Sequence, residues 1–123
     1  MAEVPRKLGS TDRAAASGDA SRVAWKLDLE NRHLDANLIR LPPGGAIAEH
    51  TGGEVDVLVH VVAGSGVVGT EGGGFGVAAG DLVWLPRFST RSFTAGNDGL
   101  GYLTVHLHRE PSMTVEPFRA NRQ

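Results

Sequence analysis

Three histidines and an aspartate in the apolar segments of this chain are its candidates for metal chemistry. His50 stands just before a Gly-Gly turn, and Asp56 and His60 follow it within the next ten residues. His106 lies in a second apolar run, closer to the C-terminus. Imidazole nitrogens and carboxylate oxygens are ligands of iron, zinc, manganese and nickel. Because a metal site needs at least three such groups at one point, the fold must bring three of them together.

The strand that carries Asp56 and His60 decides whether they meet His50. In the stretch VDVLVHVVA side chains alternate, so one face carries Asp56, Leu58, His60 and Val62, and the other carries Val57, Val59 and Val61. If the Asp56 face points inward, His50, Asp56 and His60 converge, together with His106. If the valine face points inward, Asp56 and His60 lie outside, at the surface or at a dimer interface. A slip of one residue inverts every side chain, and the alternation alone leaves both registers open.

Short apolar runs separated by glycine and proline turns predict an all-β domain from Arg22 onward. The stretch RVAWKLDL at 22–29 alternates apolar and polar residues, as a half-buried strand does. A Pro-Pro-Gly-Gly turn follows at 42–45, and further glycine turns separate the later runs. No segment keeps a helical period, and Pro111 and Pro117 oppose a helix near the end of the chain. This pattern is typical of a β-sandwich or β-barrel.

The composition is that of one globular domain. The chain has 123 residues, of which 41% are hydrophobic and 21% charged, enough to fold around a single core. A formal net charge of −2 with scattered Lys and Arg indicates no nucleic-acid partner. The absence of cysteine excludes disulfides, thiolate zinc sites and a cysteine nucleophile. No stretch suits a signal peptide or a membrane span, so we expect a cytoplasmic protein without a membrane partner.

Three segments are predicted along the chain. Residues 1–21 are rich in Ala, Ser, Gly and charge without a clear period, which indicates a flexible N-terminal arm. Residues 22–110 form the β-barrel domain. Residues 111–123 form a C-terminal tail.

Two segments of the barrel domain resemble the paired motifs of the cupin family, small jelly-roll barrels whose interior often holds a metal. The first motif reads Gly, five residues, His-x-His, three or four residues, Glu, six residues, Gly; Gly44, His50 and Gly64 stand at its places. The second is matched by GDLVWLPRFSTRSF at 80–93, with Arg91 at the position of its histidine. The resemblance covers residues 36 to 108 and implies an all-β, cupin-like double-stranded β-helix or jelly-roll barrel.

The same resemblance implies a degenerate form of the usual four-ligand metal site. The second histidine of the first motif is replaced by Gly52, and the glutamate position holds Val57 at the longer motif spacing or Asp56 at the shorter. Arg91 is a permanent cation that repels a divalent metal and cannot coordinate one. Only His50 remains of the four ligands. The gap-free alignment also favours the register with the valine face inward.

An inward Arg91 points to anion binding. A guanidinium in an apolar barrel needs a carboxylate, either from the protein or from a ligand. Asp56 or Glu54 is a candidate partner within the chain. In the alternative, an anionic small molecule is held by Arg91, with His50 and His60 supplying hydrogen bonds.

Three functions therefore stay open for this sequence. The first is a small-molecule-binding cupin without the usual metal, whose pocket centres on His50 and Arg91. The second is a metal-dependent oxygenase or isomerase with ligands chosen from the three histidines and the aspartate named above. The third is a structural or interaction module whose barrel is filled by side chains. The resemblance also implies a homodimer, since small cupins commonly pair through a sheet edge; no catalytic residue can be assigned.

Overall fold

Within the part of the chain that the structure describes, seven antiparallel β-strands form the domain. The computed structural model describes residues 4–12 and 22–109. The strands are β1 (Val23–Lys26), β2 (Leu34–Leu41), β3 (Ala46–Thr51), β4 (Val57–Thr70), β5 (Gly73–Ala78), β6 (Leu82–Leu85) and β7 (Thr90–Leu107). The predicted all-β class is confirmed. Among the described residues, no helix has the length and apolar character needed to cross a membrane.

The two longest strands, β4 and β7, pair with each other and serve both halves of the barrel. One half has the strand order β1-β2-β7-β4-β6, and the other has β3-β7-β4-β5. The β4–β7 register shifts between Val61 and Ala63 and again between Gly64 and Gly66, which bends the pair from one half to the other. Gly64 has a φ of 71°, and a side chain there would overlap the carbonyl oxygen of Gly99. Only glycine fits this bend without strain.

The valine face of β4 points into the barrel. Val59 and Val61 are 0% and 1% exposed, whereas Leu58 is 45% exposed and His60 is exposed. The buried valines belong to a core that also holds the stacked pair Phe93 and Tyr102, whose ring centroids are 4.4 Å apart. Of the two registers that the alternation left open, the chain adopts the one that the cupin alignment favoured.

A second apolar contact lies outside the core, on the outer face of the half that contains β1 and β2. Leu38 precedes Ile39, which packs against the core, so the Leu38 side chain points away from the core. It is nevertheless only 1% exposed. Within the predicted arm, residues 4–12 are described and several of them lie over Leu38. The rest of the arm and the predicted C-terminal tail are outside the described residues, so the predicted segment bounds stay predictions.

Candidate functional site

A β-bulge in β3 places His50 beside Arg91. Ile47 pairs with Phe93 and His50 pairs with Arg91, so three steps on β3 match two steps on β7. Directly paired residues of antiparallel strands point to the same face, and Ile47 and Phe93 point towards the core. The extra residue of the bulge returns His50 to that inward face. Two of the site residues predicted from the sequence are therefore neighbours.

The loops that follow β3 and β6 are joined next to Arg91. The backbone N–H of Gly52 donates to the carbonyl oxygen of Ser89 at 2.9 Å, and the N–H of Phe88 donates to that of Gly53 at 2.9 Å. We call this region, with His50 and Arg91, the Arg91 end of the barrel. The paired loops explain why an arginine can be buried so close to the strand ends.

Asp56 forms an ion pair with a different arginine, Arg87. Arg87 donates its backbone N–H to Oδ1 of Asp56 at 2.9 Å and its Nη2 to Oδ2 at 3.1 Å. The side-chain hydrogen bonds from Arg87, followed by the backbone one, lower the pKa of Asp56. The other candidate carboxylate, Glu54, forms an ion pair with Arg109 at 3.0 Å. Neither carboxylate that the sequence offered as the internal partner of Arg91 takes that role.

Arg91 is a buried cation with very few partners. Its residue is 5% exposed. Its side chain makes one hydrogen bond within the described residues, from Nη2 to the carbonyl oxygen of Pro86 at 3.4 Å, and that oxygen also accepts from the hydroxyl and the N–H of Ser89. Nε of Arg91 has no hydrogen-bond partner there. Burial lowers the pKa of Arg91, yet a guanidinium stays charged at neutral pH. Such a group is costly to bury without an anion.

Gly52 makes the space that the guanidinium fills. A Cβ built on Gly52 would overlap the Nη1 and Cζ atoms of Arg91. The guanidinium therefore stands where the second motif histidine would begin its side chain. Gly52 and Arg91, the two positions that depart from the cupin motifs here, therefore fit each other in space, although they are 39 positions apart in the sequence.

The residues present do not fit the metal of the usual cupin site. Arg91 stands at the position of one motif ligand and its guanidinium fills the place of another, so among the residues with described positions His50 has no companion ligand at this end. Over the described ranges, no three His, Cys, Asp or Glu side chains lie close enough to hold a metal ion. The arrangement can bind an anion but offers no cage for a divalent cation.

The remaining predicted ligands lie elsewhere. His60 is exposed on the outer face, opposite Leu82 of β6 and Leu103 of β7. His106 pairs with Val57 and so faces inward, but it lies near the end of β7 opposite to Arg91. The convergence of His50 with Asp56, His60 and His106, which depended on the other register, is therefore wrong.

Apolar side chains surround the inner side of Arg91. Ile47, Phe93, Val68 and Phe75 pair across β3, β7, β4 and β5, and they form the row next to Arg91 and His50. Phe75 is 44% exposed. The sequence does not indicate this row, because the spacing of residues along one strand does not say which strands lie side by side.

A second polar cluster, which the sequence did not indicate, lies around Asp35. Nδ1 of His108 lies 2.7 Å from Oδ2 of Asp35, and Nε of Arg32 donates to Oδ1 of the same carboxylate at 2.7 Å. The hydrogen bond with His108 is the largest cause of the lowered pKa of Asp35. Burial acts against it as the second-largest effect, and the hydrogen bond from Arg32 lowers the pKa further. The short spacing of Arg32 and Asp35 is visible in the sequence, but the approach of His108, which directly follows β7, is not.

Comparisons with known proteins identify the fold. No protein-family model matches the sequence, and no curated protein is significantly similar to it. The cupin domain of Cnp3 from Schizosaccharomyces pombe has a TM-score of 0.62 and 16% identity, over 78% of this chain and 68% of that one. A protein with a double-stranded β-helix domain from Klebsiella pneumoniae has a TM-score of 0.66 and 15% identity, over 86% and 100%. A predicted oxalate decarboxylase from Thermotoga maritima has a TM-score of 0.56 and 24% identity, over 61% of this chain and 66% of that one.

These likenesses confirm the cupin-like double-stranded β-helix that the resemblance to the two cupin motifs implied. Their sequence identities are low, so they establish the fold and leave the activity to be argued from the site.

Proposed function

We propose that this cupin-fold protein binds a small monocarboxylate at the Arg91 end of its barrel without a metal ion. The buried guanidinium of Arg91 carries the proposal, because it is 5% exposed and has no carboxylate partner among the described residues. A carboxylate accepts two parallel hydrogen bonds from a guanidinium, and such charge-assisted pairs are among the strongest in proteins. A bound carboxylate would engage the unpaired Nε and offset the cost of burying the charge.

His50 and the neighbouring apolar row define the rest of the ligand. His50 shares the inward face with Arg91 and is exposed, so its imidazole can hydrogen-bond an anion that enters beside it. The next row of side chains into the barrel, which includes Phe93 and Phe75, is apolar. A single cation above an apolar floor favours a ligand with one carboxylate and a compact hydrocarbon or aromatic body.

The competing functions make different predictions. A metal-dependent enzyme requires a stoichiometric metal, and the position of the Arg91 guanidinium against Gly52 opposes one. A module with a filled barrel would bind neither a metal nor an anion. Binding measurements together with metal analysis separate all three.

The experiment is calorimetric titration of the purified protein with acetate, butyrate and benzoate. We expect saturable binding of at least one of them, loss of that binding in Arg91→Met, and a weakening of about tenfold or more in Arg91→Lys, which cannot form the bidentate pair. Arg87→Lys is the matched control, because Arg87 is exposed and already paired with Asp56. Circular dichroism verifies that each variant is folded.

Three results would overturn the proposal. The first is that the wild-type protein binds none of the monocarboxylates, and the second is that Arg91→Met binds them as well as the wild type does. The third is a stoichiometric metal in the purified protein that His50→Ala removes.

A further inference from the structure

The outer face of the barrel carries a cavity that is separate from the Arg91 end. Its volume is about 290 Å³. Its walls are Arg6, Leu8, Gly9, Ser10 and Thr11 from the N-terminal segment and Trp25, Leu38 and Leu103 from the sheet. The cavity thus lies between residues 4–12 and the outer face of β1, β2 and β7.

Strand register explains the apolar floor of this cavity. Trp25 pairs with Leu38, and Leu38 pairs with Leu103, so the three side chains form one row across three strands. The same row continues through His60 to Leu82, which is 70% exposed. The N-terminal segment therefore covers the part of this row that lies on β1, β2 and β7, and it leaves the part on β4 and β6 open.

The size and lining of the cavity define its occupant. An apolar cavity of about 150 Å³ holds one benzene molecule, so this one accommodates a molecule of about two fused rings. Leu8, with the floor row, supplies apolar contact, while Ser10 and Thr11 supply hydroxyl groups. Arg6 already interacts with another group of the chain, so a charged ligand is not required.

We infer that this cavity is a second ligand site, which takes an uncharged bicyclic aromatic molecule with one hydrogen-bonding group. The ring system lies on the row of Trp25, Leu38 and Leu103, and its polar group faces Ser10 and Thr11. The site is independent of Arg91 and does not depend on the function proposed for the barrel interior.

Indole is a suitable probe because it is uncharged, bicyclic and carries one N–H group. Binding is measured by calorimetry and by proton–nitrogen correlation spectra of the labelled protein. We expect shifts of the Trp25 indole N–H and of the backbone amides of residues 8–11. The indole N–H of Trp84, which is 60% exposed and outside the cavity, serves as the internal reference.

Substitutions in the floor and the roof locate the site. Leu103→Phe fills the cavity from the sheet and should weaken indole binding by about tenfold or more, that is by about 1.4 kcal/mol. Leu82→Phe lies in the same row outside the cavity and should change the affinity less than about twofold. Ser10→Phe fills the cavity from the N-terminal segment and leaves every residue of the sheet unchanged, so it tests the site even if Leu103→Phe fails to fold.

The inference fails if indole leaves the Trp25 signal unshifted at saturation of the calorimetric titration, or gives no titration at all. It also fails if both filling variants bind indole with wild-type affinity. Arg91→Met should bind indole normally, so loss of carboxylate binding and loss of indole binding are distinguishable results.

Discussion

Replacement of Gly52 by alanine tests the contact on which the Arg91 end of the barrel depends. Gly52 does not have a left-handed backbone conformation, so alanine is compatible with its φ. In the absence of a clash, glycine to alanine at such a position stabilises a protein by about 0.4–1 kcal/mol through the unfolded chain. In this protein, however, the added methyl group overlaps the guanidinium of Arg91.

The expected change in the free energy of unfolding follows from the contacts that Arg91 would lose. To admit the methyl group, the guanidinium must leave its site and lose its hydrogen bond to Pro86, and overpacking of this kind costs about 1–3 kcal/mol. We therefore expect Gly52→Ala to lower the free energy of unfolding by about 1–2 kcal/mol in the wild-type background. In an Arg91→Ala background the same change should raise it by about 0.5 kcal/mol. The coupling between the two positions is then about 2 kcal/mol, typical of residues in direct contact.

Urea unfolding of the four proteins of this double-mutant cycle, followed by circular dichroism, measures the coupling. Gly53→Ala is the matched control, because its Cβ would meet no atom within 4 Å. Its effect should be the same in both backgrounds. If Gly52→Ala also has equal effects in the two backgrounds, the guanidinium does not fill the space beside Gly52.

Three further predictions concern the buried charge, the bend and the second polar cluster. Arg91→Met should stabilise the unliganded protein by about 1–3 kcal/mol in urea unfolding, because it removes a buried charge that has no anionic partner in the described part of the chain; a destabilised variant would contradict this. Gly64→Ala should cost more than about 2 kcal/mol, because its Cβ meets backbone at a left-handed φ, whereas Gly72→Ala, with open space around its Cβ, should stay within about 0.5 kcal/mol in the same assay. Because the folded-state pKa of Asp35 lies below its ordinary value of 3.8, its stabilisation is present above that pH and is lost as the pH falls through the folded value. Asp35→Asn should therefore lower the urea midpoint at pH 7. Between pH 4 and pH 2 the variant should lose less stability than the wild type does. If both proteins lose the same stability over that range, the Asp35–His108 pair is contradicted.

The outline of the fold was predictable because it depends on local signals. The alternation in β4 identified two faces, and glycine and proline turns marked the strand ends. The inward face was indicated by the motif spacing, since period two alone cannot tell inside from outside. The burial of Val59 and the exposure of His60 agree with that spacing.

The site was less predictable because its geometry depends on contacts between distant segments. The bulge in β3 shifts His50 by one residue relative to Arg91, and no residue in the stretch AIAEHT indicates that a bulge occurs there. The fit of Arg91 against Gly52 depends on the packing of two loops, as the pairing of Asp56 with Arg87 also does. A sequence pattern supplies the chemical groups, and register and loop packing decide which of them meet.

The fit between Gly52 and Arg91 also fixes the order in which a metal site could be built into this barrel. Gly52→His introduced first would collide with a buried guanidinium, so that intermediate protein is expected to fold poorly. Arg91→His introduced first removes the obstacle and leaves only an unfilled space beside a glycine. A designer who wants two adjacent imidazoles at this end must therefore change the residue on β7 before the one in the loop after β3. The two single substitutions are chemically similar, yet we expect only Arg91→His to be tolerated as the first step.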